Sequence, residues 1–373
     1  MGWLDAAEGL LSGPRGRRLC WTLLDAGDHP GWARVRQGGF AGDLTGLTRK
    51  LATCVSLADL AHIAATIDDL ALLTALAETV DRARYWGAPD KEDRALSDPA
   101  VQEAFAARRR GRHWHSGCTV VATPVAIDSQ QYVEWLDEHG SPPALTGAAA
   151  ELAAWRTTTI DDERSARKRP KDPSAPWGGH WWSAPIPSRL PSTTRSIPGL
   201  GAVGLALIED GFGQRSARCW PVETRPGARI YEISSSYQWT EMVGRYPIDV
   251  SKSRRHDWWR ATGWAGRWLI PDFVAVAADY DAVHLSVAGY LTTAGRALSV
   301  DDARTVLAGW DPDQTFWLTE VLTSSGPPTN WVDLDDWRLG WTLSGASVQP
   351  EQKPNYQPEQ RRLRSRDCGK LIT

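Results

Sequence analysis

Ala217-Arg-Cys-Trp-Pro-Val222 and Ala228-Arg-Ile-Tyr-Glu-Ile233, joined by Glu223-Thr-Arg-Pro-Gly227, decide how the second half of this 373-residue chain is read. Each run is short, carries β-branched and aromatic residues, and is bounded by Gly or Pro, which is the pattern of strands punctuated by turns. Ala202-Val-Gly-Leu-Ala-Leu-Ile208, just upstream, reads the same way. Downstream, Ser235 or Ser236 caps a helix through Trp239, Met242 and Val243 that stops before Pro247. Further strand-like runs follow at Ala282 to Val287, Thr305 to Ala308, Thr315 to Val321 and Leu339 to Leu343. Because regular helices of 10–15 residues do not alternate with these strands, a parallel βαβ sheet is disfavoured and a mainly antiparallel α+β fold is expected.

Towards the N-terminus the period changes. Leu57, Leu60, Ala64 and Ile67, and after Asp68-Asp69 the series Leu70, Leu73, Leu76, Val80 and Ala83, recur at three- and four-residue steps, as one face of a helix does. Trp86-Gly87-Ala88-Pro89 ends that run. Asp98-Pro99 opens another helix, and Ser129 is placed to cap a segment from Gln130 to Glu138. Residues 1–156 are therefore expected to be a helical domain. Residues 157–176, with Asp161-Asp162-Glu163, Arg164, Arg167, Lys168, Arg169, Lys171 and two prolines, read as a charged linker or exposed loop. Residues 177–348 form a Trp-rich α+β domain, and residues 349–373, with Arg361, Arg362, Arg364 and Arg366, a disordered basic tail.

Composition bounds the function. A net charge of −3 and a pI near 6.3 give no global attraction to nucleic acid or to an anionic membrane. No stretch approaches the ~20 apolar residues that span a bilayer. Met1-Gly-Trp-Leu-Asp lacks a basic segment followed by an apolar run, so no secretory signal is read. Cys20, Cys54, Cys118, Cys219 and Cys368 are odd in number, far apart and free of any C-x-x-C pair, which argues against a disulfide framework and against structural zinc. A cytoplasmic protein is expected. Fourteen of the 21 tryptophans fall between Trp177 and Trp341, whereas Phe occurs five times in all, so the C-terminal half reads as specialised.

Several motifs bear on chemistry. Gly199-Leu-Gly201-Ala-Val-Gly204 matches G-x-G-x-x-G, but the dinucleotide fingerprint requires a strand before it and a helix after it. Here Ser-Ile-Pro precedes and a β-type run follows, so a glycine turn entering a strand is the reading. His113-Trp-His115-Ser-Gly-Cys118 offers three donors without a partner cluster, and no metal is expected. Arg255-His-Asp-Trp-Trp-Arg-Ala-Thr-Gly-Trp-Ala-Gly-Arg-Trp268 interleaves cations with flat rings, which suits either a ligand or partner surface or a loop packing onto a sheet. Arg255, Trp258, Trp259, Arg260, Trp264 and Trp268 are the candidate surface residues. Asp272, Asp279, Asp281, His284 and Ser286 fall in a short span, but no G-x-S-x-G elbow accompanies them.

A cation on an early strand (Arg229, or Arg225), a hydroxyl on a middle one (Ser286, or Thr292-Thr293) and an acid on a late one (Glu320, or Asp313) follow the order seen in Arg-Ser-Glu ADP-ribosyltransferases. The arrangement resembles that family; the Ser-Thr-Ser triplet and the Glu-x-Glu pair are missing. The resemblance implies an Arg holding NAD phosphates, a Ser ordering the site and a Glu stabilising the ribosyl cation, with Trp and Tyr faces for the nicotinamide. Two functions are thus set against each other. One is a non-catalytic interaction protein whose Trp/Arg-rich surface meets a protein partner. The alternative is a nucleotide- or NAD-using transferase with Arg229, His284 and Glu320 as its catalytic residues. NAD is the cofactor only under the second.

Overall fold

The computed structural model describes residues 9–26, 43–58, 67–109, 123–136, 142–186, 189–209, 211, 213–334 and 340–344. The His113–Cys118 motif and the basic tail 349–373 lie outside the described residues.

The N-terminal region is helical over Leu70 to Val80, where the period of three and four predicts it; of the run Leu57, Leu60, Ala64 and Ile67, Leu57 ends a helix, Ile67 precedes the next, and Leu60 and Ala64 lie outside the described residues. Helices α1 (Pro14–Ala26), α2 (Leu44–Leu57) and α3 (Asp69–Asp81) are followed by α4 (Lys91–Leu96) and α5 (Pro99–Arg109). The starts of α2, α3 and α4 are fixed by aspartates that take up an orphan amide of the first turn: Asp43 from Gly46, Asp68 from Ala71 and Asp90 from Asp93. Among the described residues no helix is long and apolar enough to cross a membrane.

The sheet begins earlier than the sequence suggested. Gln130–Trp135, expected as a helix, is strand β1 and lies between β4 (Ser216–Thr224) and β2 (Ser192–Ile197). Both neighbours pair with it antiparallel, Tyr132 standing opposite Thr193 on one side and Trp220 on the other. Gln-Gln-Tyr-Val-Glu-Trp fits either period over six residues, and two ready-made strand edges decide it. The same sheet continues through β11 (Gln314–Trp317) and β8 (Ala282–Leu285) to the edge strand β5 (Ile230–Ile233), and through β13 (Thr329–Asp333) to β14 (Trp341–Leu343) at the other end. Short β3 (Gly201–Ala202) pairs with β2, and β12 (Leu322–Ser324) with β4. Every pair in it is antiparallel except β5 with β8, so the fold is α+β with a mixed, mainly antiparallel sheet. Two small pairs, β6 (Pro247–Asp249) with β7 (Leu269–Pro271) and β9 (Leu298–Val300) with β10 (Ala303–Thr305), stand apart from it.

Two other expectations need correction. Ala202–Ile208 is not one strand: after β3 the chain turns into a 3-10 helix, Val203–Leu205. Residues 157–165 are not a linker but the second half of α6 (Ala148–Ser165). Two of its acids are held by other parts of the fold: Glu163 accepts from the Lys252 and Ser253 amides, and Asp162 pairs with Arg169 and with the buried Arg254, whereas Asp161 and Arg164 pair with each other at the surface. Burial, against the pull of Asp162, Asp257 and Glu163, lowers Arg254 to about 10, while Asp162 is held near 2, its own burial being outweighed by the His180 hydrogen bond and the Arg169 charge.

The remaining helices are α7 (Ser236–Arg245), α8 (Arg255–Thr262), α9 (Phe273–Asp279) and α10 (Val287–Thr293). Ser235 caps α7 as the sequence implies, accepting from the Tyr237 amide. The largest apolar cluster takes Leu19, Leu72, Leu76 and Val80 from the N-terminal helices and Trp155 from α6. It joins them to Trp239, Phe273, Val283, Leu285, Tyr290, Trp310 and Phe316. The core therefore runs across residue 156 without a break.

Candidate functional site

Strand register gives the sheet two unlike faces, because directly opposed residues project on the same side. Ile233 opposite Leu285, and Val283 opposite Phe316, put one face into the main core. The next row in register is polar: Thr193 on β2, Thr315 on β11, His284 on β8 and Glu232 on β5 stand side by side across four strands.

Around this row the side chains interlock. His284 Nδ1 lies 2.8 Å from Thr315 Oγ1. Its Nε2 faces two carboxylates, Glu232 Oε1 at 3.6 Å and Asp313 Oδ1 at 3.8 Å, and bonds to neither. Asp313 is fully buried and held from several sides: Arg195 Nε donates to Oδ1 at 2.6 Å, the Arg195 amide to Oδ2 at 2.9 Å and Thr194 Oγ1 to Oδ2 at 3.0 Å. It sits at φ 62°, a left-handed conformation that Asp tolerates better than most residues. The Arg195 guanidinium continues outward to Thr123 Oγ1 and the carbonyls of Thr123 and Pro124. Val125 N–H donates to Glu232 Oε2 at 3.3 Å.

Burial sets the charge states. It drives the His284 pKa down to about 3, with the Arg195 charge adding to the effect, so the imidazole is neutral. It raises Glu232 to about 7, the Val125 hydrogen bond only partly opposing it. It also raises Asp313, against the pull of Arg195. Neutral His284, facing two carboxyl groups through Nε2, is best satisfied with its proton there and with Thr315 donating to Nδ1. Of the four residues in the row, Thr193, Thr315 and His284 are buried, whereas the Glu232 side chain is 27% exposed. A carboxyl group titrating near neutrality, with one oxygen unpaired and a fixed polar layer behind it, can give and take a proton at physiological pH.

The expected residues are distributed differently. Of Arg229, His284 and Glu320, only His284 belongs to this cluster. Arg229 is exposed and pairs with Asp281, 3.4 Å away; Glu320 is exposed and accepts the Gly147 amide at 2.6 Å, ahead of α6. Ser286 caps α10, accepting from Gly289 at 3.0 Å and donating to the Ile233 carbonyl. Thr319 bonds to Asp281, which brings Arg229 and the start of the Glu320 turn to one end of the sheet, away from the imidazole. Glu232, Arg195 and Thr315 were not singled out from sequence. The alternation of Ile230, Tyr231, Glu232 and Ile233 marked Glu232 as facing opposite to Tyr231, but only register sets it beside His284.

The Trp/Arg segment is a brace. Trp258 and Trp268 are fully buried, which corrects their assignment to a surface. They meet edge to face with ring centres 5.2 Å apart, and Trp264 packs on Trp268 at 4.5 Å beneath Arg304. Trp258 Nε1 donates to the Trp181 carbonyl, and Arg255 to that of Pro170. Arg260 ties the carbonyls of Trp86 and Trp177 together. Trp259 and Trp264 remain partly exposed. The glycine motif is a turn: Gly199 and Gly201 have positive φ, and a Cβ on Gly201 would come within 2.6 Å of the Trp331 ring.

Among the described residues no group of three or more His, Cys, Asp or Glu side chains is arranged to hold a metal ion. No protein-family model, curated protein or solved structure matches the chain.

Proposed function

We propose that this protein is an enzyme in which Glu232 is the general acid–base group and His284 the residue that positions it. The observation that carries this reading is the pair of buried, unpartnered atoms that face one another, His284 Nε2 and Glu232 Oε1. Buried polar atoms are almost always paired in native structures, and a catalytic role is one reason for an exception; here two such atoms face each other beside a part-exposed carboxylate. A substrate hydroxyl or amine meeting the solvent-exposed part of the Glu232 carboxylate would lose its proton to that group, while the inward-facing Oε1 stays against His284, and Asp313 and Arg195 hold the surroundings fixed. The substrate class is a small molecule whose reaction needs a hydroxyl or amine deprotonated near neutral pH. The transferase expectation is retained in that form, with Glu232 in place of Glu320.

Carbon-13 NMR of the Glu232 carboxyl should show a titration midpoint near 7, and Glu232→Gln should abolish turnover in a screen of activated esters, glycosides and phosphate esters. A midpoint at the ordinary carboxylate value, or turnover unchanged in Glu232→Gln, would count against the reading. A non-catalytic interaction role has a separate support, the rings of Trp177 and Tyr237, exposed at 44% and 67%. Loss of a co-purifying partner on Trp177→Ala or Tyr237→Ala, with no effect from Glu232→Gln, would favour it.

A further inference from the structure

A second recess in the fold is lined by charged side chains. Where α1 begins, the turn after α3 crosses it, and the end of α8 and Gly295 close the far side. Between them is a shallow recess, open on one side, with a cavity volume of about 30 Å3. Three guanidinium groups line it, from Arg15, Arg82 and Arg84, with Tyr85, Asp90 and Asp93. Arg15 is buried, donating to the Thr79 carbonyl at 3.1 Å and to Asp93, yet its Nε has no partner. Arg82 and Arg84 are exposed and make no side-chain hydrogen bond or ion pair to a described residue. The two carboxylates are already committed. Asp93 is shared between Arg15 and Arg18, and Asp90 takes Arg18 at 2.9 Å and the Asp93 amide at 2.7 Å.

We infer that this recess binds a phosphate group. Arg82 and Arg84 can supply paired donors in the fork geometry that phosphate oxygens match, Arg82 being drawn only electrostatically to Asp90, and Arg15 brings to the same lining a buried Nε that has no partner. The two carboxylates face the same space, but Asp93 is already paired with Arg15 and Arg18 and Asp90 with Arg18, which also takes Glu92, so the lining itself carries three guanidinium groups against two engaged carboxylates. The recess is small and open on one side, which suits either a free phosphate ion or the terminal phosphoryl group of a larger molecule whose remainder stays outside.

Isothermal titration of the full chain with inorganic phosphate, and separately with adenosine monophosphate, tests this. Saturable binding is expected, with Arg82→Ala and Arg84→Ala each weakening it by about tenfold while thermal melting stays at the wild-type temperature, since both side chains are exposed. Arg84→Lys should restore binding only in part, because an ammonium cannot donate in a fork. Equal affinity for the two ligands assigns the site to the free ion; tighter binding of the monophosphate assigns it to a phosphoryl group. Absence of saturable binding by either ligand at millimolar concentration, or unchanged affinity in the Arg82→Ala/Arg84→Ala double variant, overturns the proposal. Glu232→Gln should leave this binding unchanged, which separates the outcome from that of the acid–base site.

Discussion

A tryptophan can be a surface anchor or a large piece of core, and here five of them, Trp239, Trp258, Trp268, Trp310 and Trp317, are completely buried. Trp310 receives Phe273, Trp239 and Phe316 around it, and Phe273 in turn meets Trp155. The scarcity of Phe is thus explained by substitution in kind: Trp fills the volume that Phe fills elsewhere, and most of the buried indoles find an acceptor, as Trp317 Nε1 does on Thr193 Oγ1 at 2.7 Å. Trp258→Ala and Trp268→Ala should each cost about 3–5 kcal/mol through the cavity left behind. Trp177→Ala, at an exposed position, should cost within about 0.5 kcal/mol. Urea denaturation of the three variants checks this; equal small losses in all three would show that the buried rings contribute little. At Gly201, Ala should also destabilise, because the added methyl meets the Trp331 ring and the residue must keep a positive φ.

At the scale of elements, the instructive cases are β1 and the second half of α6. Both are polar segments whose state is set by what lies beside them. β1 gains hydrogen-bonding partners on two sides, so its amides from Gln131 to Trp135 should exchange as slowly as those of β2. Exchange as fast as that of an exposed loop would place it outside the sheet. α6 is clamped at its C-terminal end by Asp162 and Glu163. Removing one partner of a buried pair leaves the other charge without compensation, so Asp162→Ala should destabilise by about 3–5 kcal/mol. Glu163→Gln, which keeps an acceptor for the Ser253 amide, should cost less. Denaturant melts compare the two, and a harmless Asp162→Ala would mean that Arg254 is satisfied by other groups.

For the whole molecule, buried acids with raised pKa values set the pH dependence. Burial lifts Glu209 to about 8, partly opposed by the Tyr85 hydrogen bond and reinforced by Asp311; it lifts Asp311 to about 7 and Glu232 to about 7. Glu209 joins the two halves directly, taking Tyr85 Oη at 2.6 Å and the Gly309 amide at 2.9 Å. A carboxyl whose folded pKa is raised holds its proton more tightly folded than unfolded. Its stability contribution is complete below the ordinary carboxylate value and is lost as pH climbs to about 8. His284 works in the other direction: its pKa of about 3 lies below the imidazole value of 6.5, so its contribution is lost as pH falls through that interval. Stability should therefore decline from mildly acidic pH towards 8, and Glu209→Gln should flatten that decline while Glu232→Gln flattens part of it. Stability that rises steadily from pH 5 to 8 would contradict the assigned protonation states.

The sequence by itself determined what depends on neighbours along the chain. The helix with three- and four-residue apolar spacing from Leu70 to Val80 formed behind its Asp68 cap, Ser235 opened α7, Gly199 and Gly201 made a turn, and short β-type runs gave a mainly antiparallel sheet. It also singled out His284. What the tertiary structure decided was which surfaces meet. Six residues at Gln130–Trp135 became a strand because two edges were waiting, and a charged stretch at 157–165 stayed helical because its ion partners lie about 90 residues further on. Glu232, His284, Thr315 and Asp313 are spread over some eighty residues, and only the register of β5, β8 and β11 brings them into one cluster. Local periodicity encodes the face a side chain occupies; its neighbour on the adjacent strand is a long-range pairing that no local pattern carries.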